Sequence, residues 1–150
     1  MDNRIDEKDL KILRELLTDA RLSYREIARR VNLSVATVKA RVEKLQRLGV
    51  IKGYTVILDP DKLGYDVSAV VEIIISKGRL REVEQQLAKN PHVYAVYDVT
   101  GTCDAMILAR FRNRGELSKF VKSMLAMDFV ERTITHLILK VVKEDPRVYI

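Results

Sequence analysis

Residues 33–53 read LSVATVKARVEKLQRLGVIKG, and this stretch decides the fold of the N-terminal third. Ser34 is a helix-capping residue. Val35, Val38, Val42, Leu45 and Leu48 recur at helical spacing and predict one buried stripe. Gly49 is the expected residue just past the helix end. The remaining faces carry Lys39, Arg41, Lys44 and Arg47, with Lys52 beyond, against one acid, Glu43. Such a helix calls for an anionic partner or a solvated face.

Upstream, residues 5–17 read IDEKDLKILRELL, with Leu10, Leu13, Leu16 and Leu17 at helical spacing. Asp6 suits the N-cap, Asp9 falls in the first turn, and Ile5 and Leu10 occupy the positions of a hydrophobic staple. Ser23-Tyr24-Arg25-Glu26 is a capping box for a second helix. Ile27, Ala28 and Val31 form its apolar side and Asn32 closes it. Downstream, Val50-Ile51 and residues 54–58 (YTVIL) are β-rich around Lys52-Gly53, which predicts a small hairpin.

Asp59-Pro60-Asp61 and Gly64 then punctuate the chain. Beyond them the pattern alternates: strand 67–76, helix 79–89, strand 92–99, strand 103–111, helix 115–126, strand 131–142. This βαββαβ order predicts a ferredoxin-like antiparallel sheet with two helices on one face. The fold class is therefore α+β. A winged helix-turn-helix domain spans 1–53, a hinge strand and linker 54–66, and a ferredoxin-like domain 67–150. The first and last strands are apolar at almost every position, so the second sheet face is expected to be covered by another subunit.

The chain has 150 residues and a net charge of +6. Residues 1–55 hold 13 Lys/Arg against 8 Asp/Glu; residues 56–150 hold 14 against 13. The positive excess is thus local, as in polyanion binders. No apolar run is long enough to span a bilayer and the N-terminus has no apolar leader segment. One cysteine, Cys103, excludes an internal disulfide framework. These features suit a cytoplasmic protein with no membrane partner. Few Asn, Gln and Cys beside many charges point to an archaeal or thermophilic source.

Two short helices joined through Val31-Asn32-Leu33-Ser34 form a helix-turn-helix, whose second helix enters the DNA major groove. With Val38 at the centre of the buried side, Ala36, Ala40, Glu43, Lys44 and Arg47 point outward, and Thr37 and Lys39 lie on the flanks. Small residues allow close approach to base edges. Ser34 and Thr37 can bond bases or phosphates. Lys39, Arg41, Lys44 and Arg47 can hold phosphates, Ser23 and Tyr24 add backbone contacts, and Lys52 lies in the wing. Ser23 and Ser34 are helix caps in any case. Arg41 borders the apolar stripe and is open to a second role, a core-edge residue with a buried stem. Dimerisation would set two third helices one DNA turn apart (~34 Å) or a multiple of it, so the partner is double-stranded DNA with a roughly palindromic operator.

The stretch DEKDLKILRELLTDARLSYREIARRVNLSVATVKARVEKLQRLGVIKGYTVILDPDKLG (6–64) resembles the DNA-binding half of the Lrp/AsnC, or feast/famine, transcription regulators. The C-terminal half resembles that family's ferredoxin-like ligand-binding and oligomerisation domain. Thr100-Gly101-Thr102-Cys103-Asp104 looks like its GxxD motif. The resemblance implies homodimers built through the C-terminal sheets, assembly of dimers to octamers or similar rings, and a free amino acid bound between dimers that alters assembly or DNA affinity. Gly101 leaves its backbone accessible, turn N–H groups can hold a carboxylate, and Asp104 can accept from an α-ammonium. By resemblance Thr133 and Thr135 line the same site, with Tyr97 and Asp98 nearby and Thr100 and Thr102 in the loop. On the residues alone, the better reading is Gly101 as a hairpin turn, Asp104 as a strand-start or turn-capping residue, and Thr133 and Thr135 as β-formers on an exposed face.

No cofactor, metal site or catalytic residue is expected. His92, His136 and Cys103 have no metal-ligand spacing, and no P-loop, GxGxxG or GxSxG motif occurs. Two other classes stay open: a metabolic enzyme on this scaffold, which requires a converging acid–base pair, and an assembly factor that never meets DNA.

Overall fold

The computed structural model describes residues 4–76 and 78–150. These group into two compact units. The first runs up to Ile57 and takes in Glu144–Ile150; the second is Leu58–Lys143. The seven C-terminal residues thus group with the helical unit, where Arg14 Nε donates to the Ile150 carbonyl at 3.1 Å.

The first unit contains α1 (Glu7–Thr18), α2 (Tyr24–Val31) and α3 (Val35–Arg47). Each starts on its expected cap. Asp6 and Asp9 exchange hydrogen bonds as a capping box, Ser23 and Glu26 form a second, and Ser34 accepts from the Thr37 N–H. Asn32 closes α2 in the left-handed conformation, φ 54°. Gly49 follows α3 at φ 70°, and Val50 N donates back to Leu45 O at 3.0 Å. Ile12, Ile27, Ala28, Val38 and Val42 form the core. The expected stripes shift in detail. On α1 it is Ile12 that is buried, while Leu10, Leu13 and Leu17 are half-buried. On α3, Leu48 is half-buried and Val35 is 45% exposed. Helical side chains lean toward the N-terminus, so that of Val35 reaches past the start of its own helix. The expected hairpin is not formed: residues 50–58 contain no strand among the described residues. Val56 and Ile57 are 73% and 76% exposed. A two-stranded ribbon is marginal alone, and here one arm has only two β-formers.

The second unit contains β1 (Val67–Ile75), α4 (Leu80–Leu87), β2 (Val93–Asp98), β3 (Ala105–Phe111), α5 (Arg114–Leu125) and β4 (Val130–Leu137). The strands form one antiparallel sheet in the order β2-β3-β1-β4. Period-2 alternation sorts the residues. Ala69, Val71, Ile73 and Ile75 of β1 and Ala105, Ile107, Ala109 and Phe111 of β3 pack with Val83 and Leu87 of α4 and Leu117, Phe120 and Met124 of α5. The opposite face carries Val70, Ile74, Met106, Leu108 and Ile134, half-buried or exposed. One polar pair crosses it, Glu72 Oε1 with His136 Nε2 at 2.9 Å. β4 stops at Leu137, short of the expected 142; Leu139 and Val142 lie outside the ladder and are 96% and 88% exposed. Among the described residues no helix is long and apolar enough to cross a membrane.

Candidate functional site

In the first unit, α3 presents its N-terminal half to solvent. Ala36, Lys39, Ala40, Glu43 and Arg47 are exposed, Thr37 is half-buried, and Lys52 is exposed beyond the helix. Ser34 Oγ accepts from Thr37 N at 3.1 Å and shares a 2.8 Å hydrogen bond with Thr37 Oγ1. The two hydroxyls therefore hold each other at the helix tip. Lys39 Nζ lies 3.9 Å from the Glu43 carboxylate, a loose, exposed pair that leaves the ammonium available. At the tip of α2, Ser23 N donates to Glu26 Oε2 at 3.0 Å and Ser23 Oγ donates to the same oxygen at 2.8 Å. These bonds, the backbone one first, hold the Glu26 carboxyl below its ordinary range. Tyr24 is half-buried against the core. Burial first, and the nearby Tyr24 hydroxyl next, push the Tyr54 phenol up.

Arg41 and Lys44 are placed differently from the expectation that they hold phosphates. Arg41 Nη1 donates at 2.8 Å to both Asp6 carboxylate oxygens and at 2.8 Å to Asp9 Oδ1. Lys44 Nζ donates at 2.9 Å to Asp9 Oδ2 and at 2.7 Å to the Arg4 carbonyl. Asp9 is 0% exposed. Burial is the largest influence on its carboxyl and raises its pKa. The hydrogen bonds from Lys44 and Arg41 outweigh it, and the group sits below the ordinary aspartate range. The Asp9 N–H and then Arg41 hold Asp6 low as well, and both acids raise Arg41. The pairing has a physical reason: a buried carboxylate needs counter-charges, and two of the cations on α3 supply them. The sequence marks Asp6 as an N-cap and Asp9 as a first-turn acid, and neither as a partner of α3. Asp9 stands three residues before Ile12, on the stripe that the structure buries, where an acid demands a partner; the predicted stripe of Leu10, Leu13, Leu16 and Leu17 does not include Ile12.

In the second unit, Thr100, Gly101 and Thr102 are exposed in the β2–β3 loop. Gly101 has φ 131°, a region that disfavours side chains, and a Cβ built there would meet nothing within 4 Å. Asp104 N donates to Ile73 O at 2.9 Å, and Asp104 Oδ2 accepts from Ile75 N at 2.7 Å. The side chain thus imitates a strand carbonyl and extends the β1–β3 ladder one rung before β3 begins. This is the turn-capping role.

The remaining expected loop partners are not brought together within one chain. Asp98 pairs with Ala105 and lies toward the helices, whereas the adjacent Tyr97 pairs with Met106 on the open face. Thr133 and Thr135 pair with Ile73 and Val71 on β4, the opposite sheet edge from β2. Three strand spacings of about 4.8 Å put them roughly 14 Å from β2. A single-chain site of Tyr97, Asp98, Thr133 and Thr135 is therefore excluded by strand order, which the linear sequence does not display. Glu84 on α4 is an addition on the β2 side: its carboxyl is pushed up by burial and then by the Asp98 charge. A cleft of about 230 Å³, lined by Tyr65, His92, Tyr94 and Arg110 among others, lies at the other end of the sheet from the loop.

Comparison with known proteins fits both units. Residues 5–52 match the family described as winged helix-turn-helix DNA-binding, and residues 68–148 match the Lrp/AsnC ligand binding domain. The chain belongs to the Lrp/AsnC family. An uncharacterised HTH-type transcriptional regulator of Pyrococcus furiosus is 48% identical over 95% of this chain and 97% of its own. The HTH-type transcriptional regulator FL11 of Pyrococcus horikoshii is 37% identical over 93% of each chain. Among solved structures, E. coli AsnC superposes with a TM-score of 0.87 at 28% identity, covering 95% of this chain and 97% of that one. A Neisseria meningitidis transcriptional regulator in complex with L-Met gives 0.89 at 27% identity, covering 97% of each.

As an Lrp/AsnC protein the chain is a transcriptional regulator with a DNA-binding helix-turn-helix and a ligand-binding domain, and not an enzyme. Among the described residues no group of three or more His, Cys, Asp or Glu could hold a metal ion.

Proposed function

We propose that this regulator reads a roughly palindromic operator through α3 and that a free amino acid, bound at the Gly101–Asp104 loop, shifts its assembly and its DNA affinity. The observation that carries the reading is the outer face of α3. Ala36 and Ala40 are small and exposed, Ser34 and Thr37 bring hydroxyls to the helix tip, and Lys39 and Arg47 flank them. That arrangement lets the helix backbone approach base edges while the cations grip phosphates on either side. Ser23 and Tyr24 at the α2 tip and Lys52 add backbone contacts. Arg41 and Lys44 are left out of the contact set because Asp9 and Asp6 engage them.

The amino-acid effector rests on Gly101, whose open backbone suits a carboxylate, on the Asp104 charge, and on the relative solved with L-Met. Two sheet edges of one chain cannot form the site with all its expected residues. A second copy that brings its β4 Thr133 and Thr135 toward the loop would complete it. Homodimers built on the apolar open sheet face, assembling further in the cytoplasm, supply such a copy.

Selection of bound fragments from random-sequence DNA, with and without a pool of the standard amino acids, tests the reading. Enrichment of a palindrome whose retention changes with one amino acid supports both halves. Enrichment with no amino-acid effect removes the effector. No enrichment at low salt removes the operator reading.

A further inference from the structure

We infer that Asp9 is a positioning residue for DNA recognition: through Arg41 and Lys44 it sets the rotation of α3 about its own axis, and it withholds those two cations from the phosphate backbone. The inference rests on α3 being the helix that enters the groove.

The geometry carries it. At about 100° per residue, Arg41 and Lys44 lie about 60° and 120° from Val38 on the same side of α3, between the buried stripe and the exposed Ala36–Ala40 face. Both reach α1, whose Asp9 accepts from Arg41 on Oδ1 and from Lys44 on Oδ2, each within 2.9 Å. Asp6 N adds a third donor to Asp9 at 3.2 Å, and Asp6 binds Arg41 from outside. The acid that joins the two helices is thus tied from both sides and fully buried. Apolar contacts among Ile12, Val38 and Val42 hold the helices together but discriminate weakly between small rotations. Hydrogen bonds do discriminate. A turn of about 20° moves groups at the ~5–6 Å outer radius of a helix by about 2 Å, enough to break these bonds and to misplace Ala36, Thr37 and Ala40 against base edges. A buried ion pair is a poor source of stability compared with apolar packing, and its better-attested use is to single out one arrangement.

The consequence for charge is separate. A phosphate ligand releases counterions and steepens the salt dependence of binding; a cation already paired inside the protein does not. Lys39 and Arg47 belong to the first kind, Arg41 and Lys44 to the second.

The test uses the full chain and fluorescence anisotropy over a KCl series, on the selected operator and on a random duplex. The variants are Arg41→Lys, the apolar triple Asp9→Leu/Arg41→Met/Lys44→Met, which avoids a stranded buried charge, and Lys39→Met as the phosphate-ligand control. For the control, the slope of log affinity against log salt on random DNA is expected to fall by about 0.9 per protomer. For Arg41→Lys and the triple, that slope is expected to equal the wild type's. Their preference for operator over random duplex is expected to drop about tenfold, the worth of one well-placed base contact. A slope reduced by about 1.8 per protomer in the triple would make Arg41 and Lys44 phosphate ligands and overturn the inference. Wild-type discrimination in both variants would reduce Asp9 to packing, which also overturns it. If the triple does not fold, Arg41→Lys decides the positioning role by its operator preference, and Arg41→Met supplies the salt slope, where a reduction of about 0.9 per protomer would overturn the inference. Absence of salt-dependent binding by the wild type would defeat the groove reading itself, and this inference with it.

Discussion

Asp104→Ala and Asp104→Asn should separate what this residue does for the fold from what it does for a ligand. The side chain accepts from the Ile75 N–H at 2.7 Å, at the end of β1. Ile75 is 7% exposed, so water cannot readily replace the acceptor. Alanine removes the acceptor and strands a buried N–H, which costs about 2 kcal/mol, or about 30-fold in the folded-to-unfolded ratio of the second unit. Asparagine keeps a carbonyl oxygen at the same position and loses only the charge assistance, about half that cost. Hydrogen-exchange mass spectrometry gives a readout for each unit. Peptides covering β1 and β3 should lose protection in Asp104→Ala, less so in Asp104→Asn, while α1 and α3 stay unchanged. Calorimetric titration with the amino acid found by selection then isolates the ligand role, because Asp104→Asn retains the fold. Binding weakened about tenfold or more in Asp104→Asn fits a carboxylate that meets an α-ammonium. Equal protection in Ala and wild type would refute the ladder argument. Unchanged titration in Asp104→Asn would leave Asp104 as a turn cap alone.

Lys39→Ala or Arg47→Ala should weaken binding to all DNA sequences and lower the salt slope by about 0.9 per protomer; a filter-binding series showing an unchanged slope would end their phosphate role. The folded Asp9 carboxyl sits below its ordinary value of 3.8, so its contribution to stability is complete above that pH and lost as the pH falls through the lower folded value. Exchange protection of α1 and α3 should therefore be level from about pH 7 to 5 and fall below about pH 4, and Asp9→Asn should flatten that acid limb. Val38→Ala, at a site with 0% exposure, should cost the first unit about 2 kcal/mol in denaturant unfolding, and a cost under about 0.5 would contradict the core assignment. Gly101→Ala meets no neighbour but must hold φ near 131°, so thermal melts should show a purely backbone cost of about 1–2 kcal/mol.

Much of the architecture was legible in the chain because short-range chemistry dictates it. Ser23 with Glu26, Ser34 and Asn32 mark helix ends through bonds made within a few residues, and the structure uses each of them as a cap. The alternation in β1 and β3 and the βαββαβ order determine which residues face the helices. The exposed Ala36–Ala40 face of α3 follows from helical periodicity with Val38 inside. The misses share a different cause. Lys44 reads as a solvent-facing cation, and Arg41 as a phosphate ligand or a core-edge residue, because Asp9 lies 35 and 32 residues away, and only the packing of α1 on α3 brings the charges together. Tyr97 and Asp98 lie on β2 and Thr133 and Thr135 on β4, at opposite edges of the sheet, a separation that the linear sequence does not display. The hairpin at 50–58 and the end of β4 were overcalled because β-propensity is realised only where a ladder partner exists. The sequence by itself determined the order and type of the main elements, the caps at which the three N-terminal helices start, and the family that the chain resembles. Only the tertiary structure decided which charges pair inside the protein and which stay on its surface, since pairing depends on distances between elements that no local rule encodes.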